Sequence, residues 1–343
     1  MQPIVKGSSL SLMMTFTQPI FTGGRLLGNY KAARALERQS SANYKEERIK
    51  TALAVKDAYW KAAYSQAKLR IAMDYVKYRQ WSSGNLKLRV QEGKSARADF
   101  LREEAELARA KIQQNEAYRD YNSELINLKA SLAVNLASLL NLKDPLEYAE
   151  TSGDLSTYLM QSAKERPELN RALNRVAEMK AKRMVAMSKY SPQINAYGLG
   201  SNITGSSPDG NASGRYGGFI GVMGGITLFD SGARFNDLRA ANAAVREAEI
   251  AKRDTDLKVA QEVSQAWIDL DLARRNVDLA KEELASAEED QRLYHARYQV
   301  GKSIALEDFE ATVKLFQAKF LLLEAIYKYR LAQARLSYSS GGI

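Results

Sequence analysis

The stretches "RVQEGKSARADF", Arg89 to Phe100, and "RYQVGKSIALEDF", Arg297 to Phe309, share Arg-x-Gln-x-Gly-Lys-Ser and stand 208 residues apart. Gly-Lys-Ser also ends a phosphate-binding loop, so the pair raises nucleotide binding first. Such a loop needs another glycine, with four residues between the two, after a buried strand, so that backbone N–H groups can surround the phosphates. The required positions hold Leu88 and Ala296, inside helix-forming sequence. Each glycine therefore reads as a helix-ending residue at φ > 0, followed by a short turn into a return helix. No nucleotide is expected.

Working outward, the same offset carries Ala32, Ala33 and Ala35 onto Ala240, Ala241 and Ala243, Val55 onto Val263, and Leu107 onto Leu315. Phe21 of "PIFTGGR" falls on Phe229 of "TLFDSGAR". A constant offset means two copies with equal element lengths that lie side by side. Each copy predicts a long helix, residues 26–92 or 234–300, about 100 Å long at ~1.5 Å per residue. In the second, Val263, Leu270, Val277 and Leu284 recur every seven residues, each followed three positions later by Ala266, Ala273, Ala280 or Ala287. That large-small seam specifies a left-handed coiled coil. The first copy repeats it more weakly at Val55, Ala62, Leu69 and Val76, with Ala58, Ser65 and Ala72. Each unit is thus an antiparallel helical hairpin with its tip at 93–95 or 301–303. Gly84 should weaken the first long helix locally.

Before the first long helix, Leu10, Leu12, Met14 and Phe16 alternate with Ser9, Ser11, Met13 and Thr15, a strand with one apolar face. Two further strands are expected at 193–203 and 215–228, the latter with Tyr216, Ile220, Val222, Ile226 and Leu228 in one parity. The turn-forming "TGSSPDGNASG" joins them. Strands of this length suffice for a membrane barrel, which needs ~9–11 residues per strand. Residues 1–142 form the first repeat, 143–165 a join, and 166–343 the second repeat, in which "RPEL" restarts a helix with proline in its first turn.

Composition narrows the chemistry. The 343 residues contain no cysteine and a single histidine, His295, which leaves little for metal binding, cofactors or general-base catalysis. The net charge of +10 comes from Lys and Arg interspersed with Asp and Glu, a pattern of solvated helix faces and not of a nucleic-acid site. No window has the ~18 apolar residues of a membrane-spanning helix, and no cleavable leader follows Met1. Acids cluster just after the tips: Asp99 and Glu103, then Glu307, Asp308 and Glu310. They favour a helix N-terminus through its dipole, and in a symmetric oligomer one acid per subunit becomes a ring of charge across a pore. Trp60, Trp267, Tyr294 and Tyr298 read as packing residues, and His295 as an ordinary helix residue.

The ordered set of strand, "FTGGR", long helix, Gly tip, return helix, "RPEL", "SPQI", strand pair, "FDSGAR" and second hairpin resembles the TolC-type outer-membrane efflux protein family of Gram-negative bacteria. That resemblance implies a homotrimer whose strands form one barrel in outer-membrane lipid and whose helices form a periplasmic tunnel. It implies passive conduction, in partnership with a periplasmic adaptor and an inner-membrane transporter, and no enzyme activity. It assigns adaptor docking to Gly93, Lys94, Ser95, Gly301, Lys302 and Ser303, and a gate to Tyr298, Glu307 and Glu310, with Glu where the family carries Asp. The family pattern also has two helices, a strand and a signal peptide ahead of Leu10, so the resemblance implies an N-terminally truncated member. Two rival readings are the periplasmic adaptor itself, which has one hairpin between β domains, and a soluble coiled-coil scaffold, which needs no alternating strands.

Overall fold

A computed structural model describes residues 9–143, 146–150, 153–206 and 212–342. The order is β1 (Ser9–Phe21), α1 (Arg25–Gln91), α2 (Arg97–Ser131), α3 (Leu155–Glu165), α4 (Pro167–Met187), a 3₁₀ turn (Ser188–Tyr190), β2 (Gln193–Ser206), β3 (Ala212–Gly225), α5 (Ala233–Gln299) and α6 (Ala305–Ser339). The fold is mainly helical with one small antiparallel sheet. Both long helices have 67 residues and both return helices 35, each pair displaced by the same 208.

The ends repeat as faithfully as the lengths. Gly93 and Gly301 adopt φ of 72° and 74°. The Lys94 and Lys302 N–H groups each reach back 2.8 Å to the carbonyls of Arg89 and Arg297, which satisfies acceptors that a helix end leaves open. A Cβ on either glycine would meet nothing within 4 Å, so backbone conformation and not space requires the residue. The return helices also end alike, at Ala133 (φ 53°) and Gly341 (φ 84°).

By packing, the chain divides into two units, one of Met1–Asn43 with Glu168–Thr255 and one of Tyr44–Pro167 with Asp256–Ile343. The first contains the sheet, in the order β1-β2-β3. Phe16 pairs with Gly198 and Gly198 with Ile220, so Leu10, Leu12, Met14, Phe16, Ile220 and Val222 share one face over a glycine-rich centre. That face is bare in the single chain, with Leu10 76% and Ile220 91% exposed.

The strand ends differ from the sequence expectation. β2 and β3 run on into the expected loop because Thr204 pairs with Gly214 and Ser206 with Ala212, and ladder bonds need backbone groups, not apolar side chains. Residues 207–211 lie outside the described set. β3 stops at Gly225, short of 228, because its partner begins at Gln193, just after Pro192. Arg234 takes over there, donating to the carbonyls of Thr227 (2.8 Å) and Leu228 (3.1 Å).

In the same unit, α4 packs against α1 and α5. A Cβ on Gly28 of α1 would stand 2.7 Å from Val185 Cγ2, so the glycine permits close helix contact. Val176 and Met179 of α4 meet Val245 and Ala248 of α5. Gln39 donates to Glu178 at 2.8 Å, and Arg175 and Lys182 surround the same carboxylate. Burial pushes the Glu178 pKa up, but its hydrogen bonds to Gln39, Lys182 and Arg175 outweigh that and bring it down to about 2.

The second unit holds the coiled-coil seam. Val263, Leu270 and Val277, with Ala266, Ala273 and Ala280, are buried; most of this seam packs on Ala325, Tyr329, Ala332 and Leu336 of α6. In the first hairpin Ala62, Ser65, Ala72 and Val76 are buried, while Val55, Ala58 and Leu69 are half-buried. α1 continues unbroken through Gly84. The segment between the repeats is not featureless: α3 lies in it, and Ala149 accepts from the Tyr329 hydroxyl at 3.1 Å.

Candidate functional site: the hairpin tips

The residues next to the tips form a polar interior, with Arg79, Ser83, Glu103, Asp308 and Thr312 buried. Arg79 of α1 is 1% exposed and lies 3.1 Å from Glu103 of α2, its partner across the first hairpin. Its other terminal nitrogen donates to the Tyr75 hydroxyl at 2.9 Å, and its guanidinium lies 4.2 Å from the Phe309 ring centroid. The Arg79 Nε is buried without a partner. These contacts join α1, α2 and α6.

In the second hairpin, His295 Nδ1 of α5 sits 3.2 Å from the buried Asp308 carboxylate of α6. Its Nε2 is 2.9 Å from the Gln299 amide, and Trp81 of α1 packs beside its ring. His295 stays a residue of α5, but it has a partner that the sequence did not show. Its partner is thirteen positions on, across the turn, where helical spacing does not look. Tyr78 hydrogen-bonds Thr312 at 3.1 Å, and Arg89 lies 4.6 Å from the Tyr298 ring centroid. A cavity of about 330 Å³ lies among Trp81, Arg79, Arg89, Glu103, His295 and Phe309.

The candidate residues divide among these roles. Gly93, Lys94, Gly301 and Lys302 are exposed at the turns, and Ser95 and Ser303 are half-buried. Lys94 pairs with Glu92 at 2.7 Å, which holds that carboxyl below its usual range. Ser303 donates to Glu307, which lies in the first turn of α6 and is tied up locally. Glu310, one turn on, is exposed. Of the two acids expected at a gate, Glu310 is the freer charge. Glu103 and Asp308, the other acids near the tips, are buried partners of Arg79 and His295 and so face no open pore. The remaining aromatics are half-buried, and Trp267 donates to the Gly153 carbonyl at 3.3 Å.

One chain with two equal helical hairpins and a three-stranded sheet whose apolar face is bare fits the class of the outer-membrane channels. The sequence matches the family described as "Outer membrane efflux protein" over residues 6–134 and 159–342, and the chain belongs to that family. Its members are channels and not enzymes, and they act as trimers with adaptor and transporter partners. No curated protein matches the chain by sequence.

Solved structures share the fold at low identity. VceC of Vibrio cholerae has 15% identity and a TM-score of 0.81, over 99% of this chain and 88% of that one. The open-state MtrE channel of Neisseria gonorrhoeae has 20% identity and 0.79, over 98% and 81%. The Campylobacter jejuni CmeC channel has 17% and 0.74, over 98% and 77%. Two hairpins in one chain set aside the single-hairpin adaptor, and the sheet sets aside a scaffold of coiled coil alone. Among the described residues no helix is long and apolar enough to cross a membrane.

Proposed function

We propose that this chain is one subunit of a homotrimeric channel whose strands lie in outer-membrane lipid and whose helices stand in the periplasm. It conducts solutes passively from an inner-membrane transporter and its adaptor, in an efflux pump or a type I secretion system. The observation that carries the reading is the sheet. Its strands of 13 and 14 residues are long enough to cross the hydrocarbon layer, its apolar face is uncovered, and β1 and β3 each have an unpaired edge. Lipid covers such a face, and edge pairing with further strands closes the ladder. In the second unit, Leu101, Ile112 and Ile126 of α2 and Ile268, Leu272 and Leu279 of α5 form two more exposed apolar stripes, which further copies cover.

The tips Gly93-Lys94-Ser95 and Gly301-Lys302-Ser303 dock the adaptor in this reading, and Tyr298, Glu307 and Glu310 narrow the conduit beside them. Native mass spectrometry in detergent and current recording in planar bilayers test the assembly. Trimeric mass with unitary current steps is expected; a monomer without conductance sinks the proposal. For the gate, Glu310→Gln should weaken block by divalent cations more than Glu307→Gln, because Ser303 already engages Glu307. Block left unchanged by both refutes the gate assignment.

A further inference from the structure

The helical part of the first unit carries a column of basic side chains on one side, with Glu37, Asp237 and Glu249 lying off that column. α1 turns Gly28, Ala35, Gln39 and Ala42 inward, whereas α5 turns Val245 and Ala248 inward. Shifted by 208, these positions fall on opposite flanks, so α1 and α5 form a layer with α4 between them. Lys31, Arg34 and Arg38 lie on one face of that layer on α1, within a 60° arc at 100° per residue. Arg239, Arg246 and Arg253 lie on the same face on α5 at heptad spacing. Lys31 and Arg38 map by 208 onto Arg239 and Arg246, so the two repeats carry the same basic column. All six are exposed, and among the described residues Lys31, Arg34, Arg38, Arg239 and Arg246 form no ion pair, while the charge of Arg253 acts on Glu249. The opposite face carries Asn29, Leu36, Ala240, Ala244 and Ala251.

Position along the helix identifies what the first rung meets. Lys31 and Arg239 each stand six residues into their helices, ~9 Å along the axis. Between them and the sheet, on the same face, lie Leu27 (51% exposed), Tyr30 (62%) and Phe235 (58%). Arg239 lies 5.5 Å from the Phe235 ring centroid. Apolar and aromatic side chains followed by long cationic ones form the profile of a membrane interface, where rings sit at headgroup level and Lys or Arg reaches phosphate.

Resting on the outer-membrane reading above, we infer that Lys31, Arg34 and Arg239 form a collar that binds the phosphate groups of anionic lipid in the leaflet nearest the helices. The headgroup layer is only ~5–7 Å deep. Arg246 and Arg253, ~10 and ~20 Å further along the helix, lie beyond it.

The test uses full-length protein with vesicles of pure phosphatidylcholine or of phosphatidylcholine with 30% phosphatidylglycerol, together with native mass spectrometry of retained lipid. Lys31→Gln/Arg34→Gln/Arg239→Gln should lower the preference for phosphatidylglycerol roughly 100-fold, about fivefold per residue, at low salt. Arg246→Gln/Arg253→Gln should change it less than twofold. An equal loss from that deeper pair, or no loss from the triple variant, overturns the collar. A triple variant that keeps its lipid but shifts the anion-to-cation permeability ratio places the column on the conduit wall and equally overturns it. Failure to insert into either vesicle refutes the membrane reading itself, which separates the two proposals.

Discussion

Replacing Glu103 with Gln removes one charge from a pair that water scarcely reaches. Arg79 and Glu103 have side chains 1% and 5% exposed and an N–O distance of 3.1 Å. The guanidinium would keep the Tyr75 hydroxyl and the Phe309 and Tyr75 ring faces, at 4.2 and 4.9 Å from their centroids. Cation–π contacts at desolvated sites contribute about 2 kcal/mol, but both already exist and cannot replace the lost carboxylate. Breaking a buried pair costs about 3–5 kcal/mol because an uncompensated charge remains. At about 2.1 cal/mol/K of unfolding entropy per residue, a chain of 343 residues loses ~1.4 °C per kcal/mol, so the midpoint of thermal unfolding should fall by about 4–7 °C. Circular dichroism of the detergent-solubilised protein, at fixed concentration and scan rate, reads the shift. Arg79→Met with Glu103→Met removes both charges at similar volume and should recover most of the loss. A drop below 2 °C for Glu103→Gln, or a double variant as unstable as the single, would show that the pair is not desolvated as described.

Two glycines on α1 should respond with opposite signs to alanine. Gly84 has open space around its missing Cβ, so Gly84→Ala should stabilise by about 0.5–1 kcal/mol; at Gly28 the new methyl would meet Val185 at 2.7 Å and should destabilise by about 1–3 kcal/mol. Urea melts monitored by circular dichroism would distinguish them, and matching signs would contradict the packing. Glu178 titrates lower when folded, about 2 against 4.5 unfolded, so it contributes stability above pH 4.5 that is lost as the pH falls toward 2. Because Arg175 and Lys182 are half exposed and screened, the contribution is about 1–2 kcal/mol. Glu178→Gln should be less stable than the parent at pH 6 and equal to it near pH 2, and a constant gap between the two melts would refute the linkage.

Repetition made the helices legible. A seven-residue seam at Val263, Leu270 and Val277 and a glycine at each tip specify a hairpin through local rules alone, and the offset supplied the second copy. Strand ends were less legible, because β3 stops where β2 begins, a fact about its partner's Pro192 and not about Ile226 or Leu228. Ala133 carried no signal that it adopts positive φ; only its match to Gly341 marks it. Near the tips, the acids after each glycine could be found, but not their fates. Arg79 reads as one more solvated helix residue until the turn folds Glu103 back upon it, and His295 likewise waits for Asp308. Pairings across a hairpin depend on how the two arms align, which no spacing within either arm encodes.

The matched lengths of α1 and α5 also limit how such a chain can change. Each residue deleted from one of them shifts everything beyond it by ~1.5 Å and turns it by 100°. A single deletion would therefore set Gly93 and Gly301 out of step and rotate the buried seam toward water. Seven residues removed from both helices at equivalent positions would shorten each by ~10 Å and keep seam and tips in phase. Variation in length is thus confined to paired, heptad-sized steps, and the duplicated chain works as a gauge with coarse graduations.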